Sequence, residues 1–406
     1  MNAMPNPIYL DYNATTPVDP VVADAIAQSL RDDFGNPSSS HSFGRVANAA
    51  IEKARGQVAA LIGAEPDEIV FTGGGTEATN HAIMGACQIA RPASRTWRDW
   101  VRNWNADSIT PDRCHIITTT VEHPATLHTV DYLRRLGASV TFVEVDRHGL
   151  PDLREFRASS FGTSRRIFSV MHSNNETGTL MPIREIVDVA RQSRLPTLIH
   201  TDCAQSLGKV AVNVKELGVD LLTIAGHKLY APKGIGALYI RRGVKLEPLI
   251  HGAGHESGRR AGTENTPYIV GLGVAAELAR ESLPTATEKL KQLRDRLYQK
   301  LLDGLPGKIS LNGHPELRLP NTLNINFHGH IGPQLLAKVP EIAASNGAAC
   351  HETKHGMQFT PSAVLCAMRI PPSESIGAVR LTVGRYTTEA EVDRAAELLI
   401  HAAKQA

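Results

Sequence analysis

The chain has 406 residues, 42% hydrophobic and 21% charged, with a formal net charge of +2. That length accommodates two domains and a large core, while the balanced charge offers no basic field for nucleic acid and no polybasic membrane anchor. No apolar run is long enough to span a bilayer, and the start MNAMPNPIYLDYN has no basic stretch leading into an apolar one, so neither a membrane span nor a secretory signal is expected.

In chain order, helix VANAAIEKARGQVAALIG (46–63) precedes strand EIVFTGGG (68–75). Residues 90–114 follow, a stretch holding all three tryptophans that reads as an insertion, either packed or serving as a lid or partner surface. Strands CHIITTTVEH (114–123), ASVTFVEVD (138–146), RRIFSVMHSNN (165–175), TLIHTD (197–202), LLTIAGHK (221–228) and ALYIRR (237–242) then alternate with helices ATLHTVDYLRRLG (125–137) and IREIVDVARQ (183–192). Such alternation predicts a mostly parallel sheet covered on both faces, with ligands at the carboxyl ends of its strands. After about residue 267 the pattern changes to two helices, GLGVAAELARESL and ATEKLKQLRDRLYQKLLDGL, then short strands TLNINF and AVRLTVG and a final helix opened by the Thr388/Glu391 capping box. The expected organisation is a large α/β domain over 16–266 and a smaller α+β domain over 267–406, joined by the segment 1–15.

Polar residues with chemical capacity cluster where the predicted strands end. Lys228 follows a buried strand, where desolvation favours the free amine that can condense with an aldehyde. Asp202 ends another strand, with Gln205 just beyond. A strand-end acid and a desolvated lysine are the pair that pyridoxal phosphate requires. FTGGGTE places Gly75 and Thr76 at a helix start suited to a phosphate, though the spacing is neither a Walker motif nor GxGxxG. His123 can stack on an aromatic ring or move protons, and Asn175 either forms a turn or donates to a ligand oxygen.

Five cysteines without CxxC spacing argue against a disulfide framework and for a reducing compartment, with the cytoplasm as the expected location. Cys350 lies in a small-residue loop beside His351, Lys354 and His355, which favour its thiolate; the other four cysteines read as core or strand edge. Residues 351–355, HETKH, match HExxH, but the surrounding glycines and proline give no helix to bring both histidines onto one face, so no metal site is expected.

YLDYNATTPVDP, GNPSSSHSFGR, FTGGGTEATN, SNNETGT, HTDCAQSLGK, GHKLYAPKGIGALY, RRAGTENTP and VGRYTTEAEVD together resemble the class V aminotransferase superfamily, in its cysteine desulfurase and selenocysteine lyase branch, over nearly the whole chain. The resemblance implies the fold type I of pyridoxal-phosphate-dependent transferases and a homodimer. It implies that Lys228 binds the cofactor covalently, that Asp202 partners the pyridine nitrogen and that His123 stacks on the ring. Gln205 and Asn175 lie around the ring and its hydroxyl, and Gly75, Thr76 and His227 hold the phosphate. Thr263 reaches the phosphate of the second subunit, Arg385 clamps the substrate carboxylate, and Cys350 is the nucleophile.

Two positions depart from the pattern: Ala225 stands where a serine commonly contacts the phosphate, and NGAACH replaces SGSAC at the nucleophile. The expected reaction takes sulfur from L-cysteine onto Cys350 as a persulfide and leaves L-alanine. The alternatives are a selenocysteine lyase, a transaminase, or a cofactor-binding sulfur carrier without turnover. A sulfur-acceptor or scaffold protein is the remaining expected partner.

Overall fold

The computed structural model describes residues 7–88, 114–159, 165–193, 195–346, 349–353 and 356–405. Apart from Cys114, the tryptophan-bearing stretch 90–114 lies outside them.

Short strand β1 (Ile8–Tyr9) leads into the helices Pro20–Asp32 and Ser42–Ile62. A seven-stranded sheet follows, built from β2 (Ile69–Thr72), β3 (Cys114–Thr119), β4 (Ser139–Val143), β5 (Arg165–Met171), β6 (Thr197–Asp202), β7 (Leu221–Ala225) and β8 (Gly236–Ile240) in the spatial order β2-β8-β7-β6-β5-β3-β4. The pairs from β4 through β7 are parallel, and β8 is antiparallel to both β7 and β2. Two reversals bring β2 back into the common direction. The carboxyl ends of β2, β3, β5, β6 and β7 therefore open onto one edge.

β3, β5, β7 and β8 are almost wholly buried along their length, as expected of strands covered on both faces. Two glycines allow the β2 turn to come close to β7 and β8. A Cβ on Gly236 would lie 2.8 Å from the Gly74 carbonyl carbon, and one on Gly75 would lie 2.9 Å from Ala225 Cβ.

The smaller sheet has the order β12-β15-β10-β9, formed by β9 (Ile309–Leu311), β10 (Thr322–Phe327), β12 (Ser345–Asn346) and β15 (Ala378–Thr382). β11 (Ile342–Ala343) pairs with β1, and β13 (Ala349–Thr353) forms a hairpin with β14 (Gly356–Thr360).

The two predicted helices after residue 267 are one helix, Thr266–Gly304, running through Pro284. It enters two separate cores. Ile269, Leu272, Ala275, Ala276 and Ala279 pack with the large sheet, whereas Leu290, Leu293, Leu297 and Leu301 pack with Leu10, Leu323, Ile325, Leu381 and Leu399. Continuous burial on both sides of the proline holds the rod together where local propensity alone favours a break.

Candidate active site

A cavity of about 730 Å³ opens at the common strand edge, and its wall includes Gly73, Gly75, Thr76, His123, Asn175, Asp202, Gln205, His227, Lys228 and Arg380. Eight of the ten predicted site residues other than Cys350 fall on this wall. Gly75, Thr76, His123, Asn175, Asp202, Gln205, His227 and Lys228 are together; Thr263 and Arg385 are elsewhere.

Lys228 sits in a single 3-10 turn after β7, where its Nζ donates to the backbone carbonyls of Asn13 and, at 2.7 Å, Ala14. Burial, followed by the nearby Arg380 guanidinium, pushes its pKa down to about 8. About a tenth of it is then free amine at pH 7, against roughly one part in three thousand for an ordinary lysine. Asp202, at the end of β6, accepts from the Ala204 N–H at 2.9 Å. Burial raises its carboxyl, opposed by that N–H, His123 and Lys228. A carboxyl so placed gains from a cationic N–H donor.

His123 is the N-cap of the helix Pro124–Arg135, its Nδ1 accepting from the Ala125 N–H at 3.1 Å. Burial and then Lys228 dominate in lowering its pKa, with Asp202 opposing. The neutral ring consequently carries its proton on Nε2 and is pinned at Nδ1. His227 is also neutral, lowered to about 4 by burial and by Lys228, with Nδ1 3.2 Å from Thr15 Oγ1.

The helix Gly75–Gln88 begins at the cavity wall, so its first N–H groups and dipole suit an anion there. Glu77, in that first turn, accepts from the Gly73 N–H at 2.7 Å and is ion-paired to Arg260 at 2.9 Å, which offsets its charge. Of the two asparagines in SNNETG, Asn174 forms the turn by accepting from the Glu176 and Thr177 N–H groups, leaving Asn175 on the cavity wall.

Three expectations change, for Arg385, for Cys366 and for the loop around Cys350. Arg385 does not line this cavity. Its guanidinium is ion-paired to Asp19 and stacked 4.4 Å over the Tyr230 ring. Arg380, five residues earlier on β15, takes that place: it lines the cavity, donates to Asp11 at 2.8 Å and to the Asn175 carbonyl at 3.0 Å, and leaves its buried Nε without a partner among the described residues. Thr263 is exposed and absent from the cavity wall. Cys366 is exposed rather than buried, whereas Cys87, Cys114 and Cys203 are buried.

The expected loop around Cys350 is a hairpin, with Cys350 on β13 opposite Phe359. Strand pairing satisfies backbone groups that a loop would leave to water. It also gives His351 and Glu352 a strand rather than a helix, so HETKH lacks the helical face that HExxH needs. The Cys350 side chain, Lys354 and His355 lie outside the described residues.

Sequence reasoning missed Asn13 and Arg380. The Asn13 carbonyl accepts from both Lys228 Nζ and Gln205 Nε2 (2.9 Å for the latter), while its side chain joins Thr322 Oγ1 at 2.9 Å and Asn321 at 3.0 Å. An arginine inside the otherwise apolar run AVRLTV was the available signal for Arg380, since such a charge is rarely buried without a task.

Comparison with known proteins agrees with this geometry. Residues 8–95 and 100–395 match the family described as aminotransferase class V. A cysteine desulfurase of Trichormus azollae is 46% identical over 394 residues, covering 97% of this chain and 92% of its own. A solved structure titled NifS-like protein is 33% identical with a TM-score of 0.85, covering 98% of this chain and all of its own. Another, titled SspA in complex with cysteine, is 32% identical with a TM-score of 0.76, covering 94% and 99% respectively.

Proposed function

The chain belongs to the class V aminotransferase family, and from that premise we propose that it is a pyridoxal-phosphate-dependent cysteine desulfurase. The observation that carries this reading is the convergence of Lys228, Asp202, His123 and the Gly75 helix start on one cavity, with Arg380 on its wall. These residues fit the cofactor by their chemistry. Lys228 supplies an amine for its aldehyde, Asp202 an acceptor for its ring N–H, His123 a face for its ring, and Gly75, Thr76 and His227 donors for its phosphate. Ala225 offers no hydroxyl there, so backbone N–H groups carry more of that contact.

Bound pyridoxal phosphate supplies an electron sink at the substrate's α-carbon. The chain's own residues do the rest. Arg380 binds the substrate carboxylate, for which the guanidinium fork and its unpartnered Nε are suited. Lys228 Nζ, with its lowered pKa, takes and returns the proton at carbon. Cys350 attacks the substrate sulfur. The new sulfur–sulfur bond forms as the carbon–sulfur bond breaks, so Cys350 thiol and L-cysteine become Cys350 persulfide and L-alanine with no outside oxidant.

Thr263, exposed and away from its own subunit's cavity, supports a homodimer in which it reaches the second cavity. No described helix is long and apolar enough to cross a membrane. The five cysteines without CxxC spacing support the cytoplasm as the place of action, and a persulfide product calls for a sulfur-acceptor partner.

The test is incubation of the loaded protein with L-cysteine, measuring alanine, and separately with L-selenocysteine. Wild type should form alanine from cysteine, and Cys350→Ala should keep the cofactor's visible absorption while losing that activity. Full desulfurase activity in Cys350→Ala would overturn the assignment of the nucleophile.

A further inference from the structure

The chemistry above uses Lys228 and leaves a second buried lysine without a role. Lys209, four residues after Gln205, is 6% exposed. Its Nζ donates to the Gln205 backbone carbonyl at 2.9 Å and to Gln205 Oε1 at 3.1 Å. Burial, then the like charges of Lys228 and Arg380, pushes its pKa down to about 7. A methionine would fill this space without that desolvation cost, so packing alone does not account for an amine here.

Its partner explains it. A carboxamide has one acceptor oxygen and two N–H donors, whereas an ammonium only donates. With Lys209 on Oε1, Nε2 must point the other way, and it donates to the Asn13 carbonyl at 2.9 Å. Gln205 lines the cavity, so its second N–H is available there. A flipped amide would set N–H against ammonium and oxygen against the Asn13 carbonyl, two repulsive contacts in place of two attractive ones.

We propose that Lys209 is a positioning residue that locks the Gln205 amide with an N–H toward the cavity, making this wall a donor to an anionic oxygen of the bound ligand. On the functional reading above, which this inference rests on, that oxygen is the ring oxygen of pyridoxal phosphate.

The test titrates the visible absorption band of the pyridoxal-phosphate-loaded protein with pH. Losing the directed N–H destabilises the oxygen anion, so Lys209→Met should raise the midpoint by about one pH unit, the equivalent of one hydrogen bond to a charged acceptor. Lys209→Gln keeps a donor for Gln205 Oε1 without the charge, and its midpoint should stay near wild type. In a Gln205→Leu background, Lys209→Met should add nothing further.

A shift in Lys209→Gln as large as that of Gln205→Leu would overturn the proposal in favour of a simple charge effect, even if Lys209→Met does not fold. An unshifted, folded Lys209→Met would overturn it too. A wild-type protein that gains no visible band with pyridoxal phosphate would instead sink the cofactor reading itself.

Discussion

The two sheets meet the same cavity on different terms. The seven-stranded sheet contributes at its edge: Asp202, His123, Lys228 and the Gly75 turn all stand where a strand stops. The four-stranded sheet contributes from mid-strand, through Arg380 on β15, and is tied to the lysine by Asn13, which bonds Thr322 and Asn321 on one side and receives Lys228 and Gln205 on the other. Strand ends are free to carry unusual residues because their backbone leaves the ladder there. A mid-strand charge must be balanced in place, as Asp11 balances Arg380.

The contrast is broken most strongly at the two arginines. Arg380→Ala leaves Asp11 without its partner and removes the proposed carboxylate anchor, so KM for L-cysteine should rise by roughly 30-fold or more, on the scale of a truncated buried charge pair. Arg385→Ala should leave KM within about twofold and cost about 1 kcal/mol of stability, as expected for a partly exposed ion pair and its aromatic stack. Steady-state kinetics and denaturant melts on both variants check this. Equal KM effects would remove the distinction between them.

Asn13 tests whether the two sheets act together. Asn13→Ala strips a buried amide from Thr322 and Asn321 and should cost about 2 kcal/mol by urea unfolding, the penalty of leaving their polar atoms unpaired. Activity should fall alongside, because the carbonyl that receives Lys228 and Gln205 is then less firmly held. A neutral Asn13→Ala would show that the link is incidental.

A pH dependence is expected in the cofactor-free protein. Lys228 titrates near 8 when folded and near 10.5 when unfolded, so between those values the unfolded chain binds more protons. Stability should therefore rise with pH across that window, Lys228 being a burden below about pH 8 that fades as it loses its charge in both states. Lys228→Met should be more stable than wild type at about pH 7, with the gain shrinking toward about pH 10, measured by chemical denaturation without cofactor. A gain that does not change with pH would exclude titration of Lys228 as its source.

Much of the strand-end chemistry was legible because motif and element coincide. GHK after LLTIA, HTDCAQ closing β6, and TGGGTE opening a helix each combine a local geometric need with an unusual residue. Arg385 was misplaced because sequence offers two arginines five apart, and nothing local says which one faces the cavity. Strand alternation and the β10–β15 pairing decide that. The long helix was divided at Pro284 because a proline ordinarily ends a helix, while burial against two cores carries it through.

By itself the sequence determined the alternating α/β pattern, the family and the residues at strand ends, since apolar period, glycine turns and chemical motifs are all local properties. Only the tertiary structure decided which arginine lines the cavity, that β8 reverses so β2 joins the common edge, and that Asn13, nearly 200 residues from Gln205, fixes its amide from one side while Lys209 fixes it from the other. These are contacts between segments remote in the chain. They exist because burial penalises unpaired polar groups, so most of them find a partner wherever the fold supplies one.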